Sequence, residues 1–150
     1  MEKLSPRAHK LVSAALRHIR DAEHLAEAAT PFRSLDQSYH LAGFGPECIR
    51  KATLDARWID KPLGHLLGKA ADPLIELALD LDPVARRYNP LNWAERYPAL
   101  AKWDPQCRYA QTGHHSQNNT MELISEARAA VDSIASALWA DGRLDAILFT

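Results

Sequence analysis

The sequence predicts an all-α domain, an antiparallel bundle of four to five helices that resembles no sheet-containing class. Apolar residues recur at three- and four-residue steps in several segments, and Ser, Asp and Asn stand at helix starts ahead of them. No run alternates with a period of two between turn dipeptides, so strand signals are absent. With 150 residues and 47% apolar composition, the chain is long enough for one buried core, and a single domain over 1–150 is expected.

Ser5-Pro6 marks the first helix start, because a Ser oxygen accepts from an orphan N–H and Pro at the first position gives up no hydrogen bond. Leu11, Ala15, Ile19, Ala22, Ala26 and Ala29 then share one face, and the helix is expected to end before Pro31. Ser34-Leu35-Asp36-Gln37 has capping-box form and opens a second helix expected from about Leu35 to Ile59. Its interior holds Gly43-Phe44-Gly45-Pro46, which lowers helix propensity and removes a donor. Leu41, Phe44, Cys48 and Ala52 keep phase across it, so one bent helix is expected rather than two.

Beyond Pro62, the apolar segment Leu63 to Ala71 and the Asp72-Pro73 start read as a third helix in one or two pieces. Asp82 to Asn118, rich in Pro, Trp and Tyr, reads as short helical turns joined by ordered loop. The last helix opens at Asn119-Thr120-Met121-Glu122, carries Leu123, Ala127, Ala130, Val131, Ile134 and Leu138 in one stripe, and stops before Gly142. The tail from Leu144 to Thr150 is apolar and expected to pack on the bundle or on a second subunit.

Eighteen Lys plus Arg against nineteen Asp plus Glu leave no basic excess, so any nucleic-acid contact must be local. Cys48 and Cys107 lack the spacing of a zinc set or a disulfide framework and read as free thiols. No signal-peptide pattern or apolar run of bilayer length occurs, which points to a soluble, cytoplasmic protein without a membrane.

Three segments, in order, resemble the HEPN family of helical bundles. Ser38 to Ala52 is similar to that family's second helix with its small residue, Glu and Lys. Gly64-His65-Leu66-Leu67 looks like the stretch that opens its third helix, and Arg108-Tyr109-Ala110-Gln111-Thr112-Gly113-His114 fits its Arg-x(4 to 6)-His signature ahead of the last helix. The signature departs from the catalytic members at Tyr109, where Asn, Asp or His is common. The resemblance implies a metal-independent endoribonuclease, toxin or defence related, or alternatively a non-catalytic module that binds a nucleotide or a partner. Expected ligands and partners are RNA or a nucleotide, a second copy in a homodimer, and a nucleotidyltransferase or an antitoxin. No cofactor and no metal are called for.

Metal-free RNA cleavage requires a base for the 2′-OH, a cation for the phosphate and an acid for the leaving oxygen. On the resemblance, Arg108 is the phosphate clamp and His114 the general base, two such motifs meeting at a homodimer interface. His115 is expected to face elsewhere or to serve as the second proton carrier. Glu47 is expected either to orient Arg108 or to pair with Lys51 one helical turn away. Tyr109 offers a hydroxyl or a ring for stacking on a base.

Overall fold

The computed structural model describes residues 1–145, and among them every regular element is helical. Helix α1 (Pro6–Ala26) starts as expected: Ser5 accepts from the Ala8 N–H at 3.1 Å and Pro6 opens the first turn. Its buried stripe is Ala8, Val12, Ala15, Ile19, Ala22 and Ala26. The helix ends four residues short of Thr30, so Ala29 lies exposed in the turn that follows.

Helix α2 (Leu35–Leu54) is capped by Ser34, which accepts from the Gln37 N–H at 3.2 Å, and runs unbroken through Pro46. Its end differs from the sequence expectation. Asp55 adopts φ 43°, the left-handed conformation that terminates helices, and its N–H bonds back to Lys51. Arg57 to Ile59 therefore belong to a separate short helix, α3 (Arg57–Leu63). Arg7 of α1 closes this junction by pairing with both Asp55 and Asp60.

The glycines that weaken α2 as an isolated helix are explained by what packs on it. A Cβ on Gly43 would lie 2.1 Å from the Trp103 ring, so only glycine admits that indole. The Trp103 Nε1–H completes the seat by donating to the Tyr39 carbonyl at 3.2 Å. On the other side Gly45 lies against Ile19 and Ala15. Ser38 meanwhile donates to the Ala22 carbonyl at 2.6 Å. Partners descend α1 as they ascend α2, so the two helices are antiparallel.

After α3, a 3-10 turn (Lys69–Ala71) leads into α4 (Asp72–Leu81), a second 3-10 turn (Pro83–Tyr88) and the short helices α5 (Trp93–Arg96) and α6 (Pro98–Lys102). A third 3-10 turn (Pro105–Tyr109) completes the connection that the Pro and aromatic content predicted. Helix α7 (Gln117–Ala140) begins three residues earlier than expected. Its cap is Ser116, which accepts from the Asn119 N–H at 3.1 Å, rather than Asn119 itself. At 24 residues it is about 36 Å long.

Helices α1, α2 and α7 pack on one another, and their core continues into Tyr88, Trp93, Tyr97, Leu100 and Trp103 of the connection. A smaller cluster, built on Leu54, Ile59, Ile75 and Leu79, holds α3 and α4. Leu4 donates its N–H to the Arg143 carbonyl, and Leu144 is buried, so the segment before α1 meets the segment after α7. The rest of the apolar tail, 146–150, lies outside the described residues. None of the described helices is long and apolar enough to cross a membrane.

Candidate active site

Residues Asp36, His40, Phe44, Glu47 and Lys51 follow one another at three- and four-residue steps on α2. Asp36, in the first turn, anchors the loop that precedes α7. One carboxylate oxygen accepts from the Gly113 N–H at 2.8 Å, in a turn that needs glycine because φ is +89°. The other meets the His115 N–H at 3.0 Å and His115 Nδ1 at 2.8 Å. These contacts hold the Asp36 carboxyl below its ordinary value, the Gly113 N–H first and the His115 backbone and ring after it.

The tautomer of His115 follows. An ionised carboxylate only accepts, so the ring nitrogen it contacts must carry hydrogen, and in the neutral ring Nε2 is then the free acceptor. The ring is fixed in two further ways. It lies flat on Tyr39, centroids 4.0 Å apart and planes 20° apart, and edge-on to His114 at 4.8 Å and 87°.

His114, His115 and Tyr39 line one hollow of about 290 Å³, together with Lys102 of α6 and with Asn119 and Glu122 of α7. His114 is exposed, tied by its N–H to the Gln111 carbonyl at 3.0 Å. Two imidazoles and an ammonium therefore open on a single space. His115, expected either to face elsewhere or to serve as the second proton carrier, shares that space, with its ring held toward α2 by Asp36.

No known protein family, curated protein or solved structure matches this chain. The site must be read from its own chemistry.

Arg108 does not line the hollow with His114. It is exposed, and its guanidinium lies 4.8 Å over the ring of Tyr109, itself 72% exposed. No ion pair joins it to Asp104, Glu47 or any other carboxylate among the described residues. Its charge instead bears on His40, whose pKa is lowered by burial first and by Arg108 second.

Glu47 serves a different part of the fold from Arg108. Its buried carboxylate accepts from Lys51 at 2.9 Å and meets His65 Nδ1 at 2.8 Å. The i, i+4 pairing with Lys51 is present, and the ion pair with Arg108 is not. His65, Phe44 and Trp103 then stack edge-on in sequence, at 5.9 and 5.0 Å. The segment that opens with Gly64-His65 is thereby fastened to α2.

Both thiols are free and their pKa values are raised by burial, that of Cys48 to about 11. Among the described residues, no group of three His, Cys, Asp or Glu side chains is arranged to hold a metal. Sequence reasoning missed Asp36, Tyr39, Lys102 and Glu122. Asp36 sits inside a capping box, which explains it locally and hides its bond to a residue 79 positions away.

Proposed function

We propose that this chain is a metal-independent endoribonuclease of HEPN type, toxin or defence related, working at the histidine hollow. The observation that carries the reading is a carboxylate-held imidazole, His115, beside a second imidazole and an ammonium in one open space. His115 Nε2 takes the proton of a 2′-OH, and the freed oxygen attacks the adjacent phosphorus. The bond from phosphorus to the 5′ oxygen breaks, and protonated His114 delivers a proton to that leaving oxygen. The products are a 2′,3′-cyclic phosphate and a 5′-hydroxyl. Lys102 neutralises the phosphate charge.

The family signature enters through Arg108. Because this guanidinium lies outside the hollow of its own subunit, a homodimer is the arrangement that brings an Arg108 to each phosphate, and a bundle of the HEPN kind is the scaffold expected to form one. Asp36 acts as a positioning residue, holding the His115 tautomer.

Purified protein incubated with RNA in EDTA tests the reading. Cleavage that is lost in His115→Ala and His114→Ala, with helical content intact, is the expected result; undiminished cleavage in both variants overturns it. A second reading, a non-catalytic module that binds a nucleotide or a nucleotidyltransferase partner, is favoured by the exposed Arg108–Tyr109 pair, which offers a cation and an exposed ring to a base or phosphate. Nucleotide binding abolished by Arg108→Ala, without any cleavage, is its signature.

A further inference from the structure

Arg50 is 1% exposed, yet Nε and both terminal nitrogens have no hydrogen-bond partner. Burial pushes its pKa down to about 10. Its guanidinium lies 4.0 Å over the ring of Trp93. No carboxylate forms an ion pair with it among the described residues, and its desolvation is offset by the ring and by the more distant charge of Asp72.

Trp93 is also a wall of a groove of about 180 Å³ between the 83–97 segment and α7. The groove is lined by three arginines, Arg86, Arg87 and Arg96, and by no carboxylate. Arg86 and Arg87 are held from outside the lining by Asp80 and Asp141, each at 2.5 Å. Arg96 has no carboxylate partner among the described residues and approaches only the Tyr97 ring, at 5.9 Å. In a protein of net charge −1, this concentration of cations is local.

The groove and the histidine hollow lie on one seam. Asn119, Glu122, Glu126, Ala130, Ser133 and Ala137 follow at three- and four-residue steps on α7: the first two border the hollow, the last three the groove. Between them the Glu126 carboxylate is engaged by the Ala99 N–H at 3.0 and 3.1 Å. From Glu122 to Ser133 the axis rises about 16 Å. The groove is smaller than sites that enclose a whole ligand, so it takes one group of a longer molecule.

We propose that the arginine groove binds the phosphate backbone of a single-stranded RNA a few nucleotides from the bond cleaved at the hollow. This rests on the ribonuclease reading for the identity of the strand. A phosphate in the groove meets Arg96, whose guanidinium has no carboxylate partner among the described residues, with Arg86 and Arg87 beside it.

Titration of a short labelled 2′-O-methyl oligoribonucleotide, which binds without being cut, tests the proposal by fluorescence anisotropy over a range of salt. Arg96→Ala, a surface change, is expected to weaken binding and to reduce the slope of log affinity against log salt by about 0.7, the loss of one phosphate contact on a single strand. Affinity and slope unchanged in Arg96→Ala, or no binding by the wild type, overturns the groove. Cleavage in EDTA that needs His115 but ignores Arg96 leaves the ribonuclease reading standing without it. Arg96-dependent binding with no cleavage does the reverse.

Discussion

Replacing Asp36 by Asn isolates the interaction on which the site's geometry depends. Wild-type Asp36 accepts from Gly113 N–H at 2.8 Å, His115 N–H at 3.0 Å and His115 Nδ1 at 2.8 Å. Hydrogen bonds to a charged group contribute roughly 1.5–3 kcal/mol each, but the Asn carbonyl keeps part of the backbone set and solvent reaches the site. The expected destabilisation is therefore about 1–2 kcal/mol, measured by urea unfolding near neutral pH with an unchanged m-value.

Its pH dependence has a defined sign. The folded-state pKa of Asp36 is depressed, so between the folded and unfolded values the unfolded chain binds more protons. The wild-type advantage over Asp36→Asn is complete above the ordinary carboxylate value of 3.8 and is lost as pH falls through the lower folded value. Long-range proton–nitrogen NMR spectra should show the neutral His115 ring protonated at Nδ1 in the wild type and a mixture of tautomers in the variant. Equal stability of the two proteins across this range, with one tautomer in both, refutes the reasoning.

Gly43→Ala drives a Cβ to within 2.1 Å of the Trp103 ring, which is 4% exposed, so the indole must leave its seat; overpacking of this kind costs about 1–3 kcal/mol or more, read as a lowered urea midpoint and altered Trp fluorescence. Ser116→Ala removes the acceptor for the Asn119 N–H and is expected to cost ~1 kcal/mol, with the loss confined to the first turn of α7 by hydrogen exchange. Arg50→Met replaces a buried charge that has no hydrogen-bond partner by an apolar chain of similar length, and is expected to leave the unfolding free energy unchanged or higher by urea denaturation, rather than to cost the roughly 3–5 kcal/mol seen when a true buried pair is broken.

The long helices were legible because each carries its own start signal and a stripe that the core then buries: Ser5-Pro6 with Ala15, Ile19 and Ala22, and the run from Leu123 to Leu138. Boundaries were misread where a tertiary contact decides them. Asp55 turns left-handed beside Arg7, from 48 residues earlier in the chain, and no local rule places the end of α2 at Leu54. The same holds for Gly43 and Gly45, which look like helix breakers in sequence and act as seats for Trp103 and α1.

At the site, the residue types were legible and the partnerships were not. His114 and His115 are adjacent in the chain, but their convergence depends on Asp36, and the 3-10 turn from Pro105 to Tyr109 carries Arg108 toward His40 instead. Lys102 lines the hollow from α6, whose start is tied to α7 by the bond from the Ala99 N–H to Glu126. Each of these depends on contacts between distant parts of the chain.

The account is tested most directly by product-end analysis of two strands treated in EDTA, one all-RNA and one carrying a single 2′-deoxy residue at the cleaved position. It predicts a 2′,3′-cyclic phosphate from the first strand and an intact bond at that position in the second, since the attacking oxygen is gone. Equal cutting of both strands at that bond, or a linear 3′-hydroxyl product from the first, contradicts it.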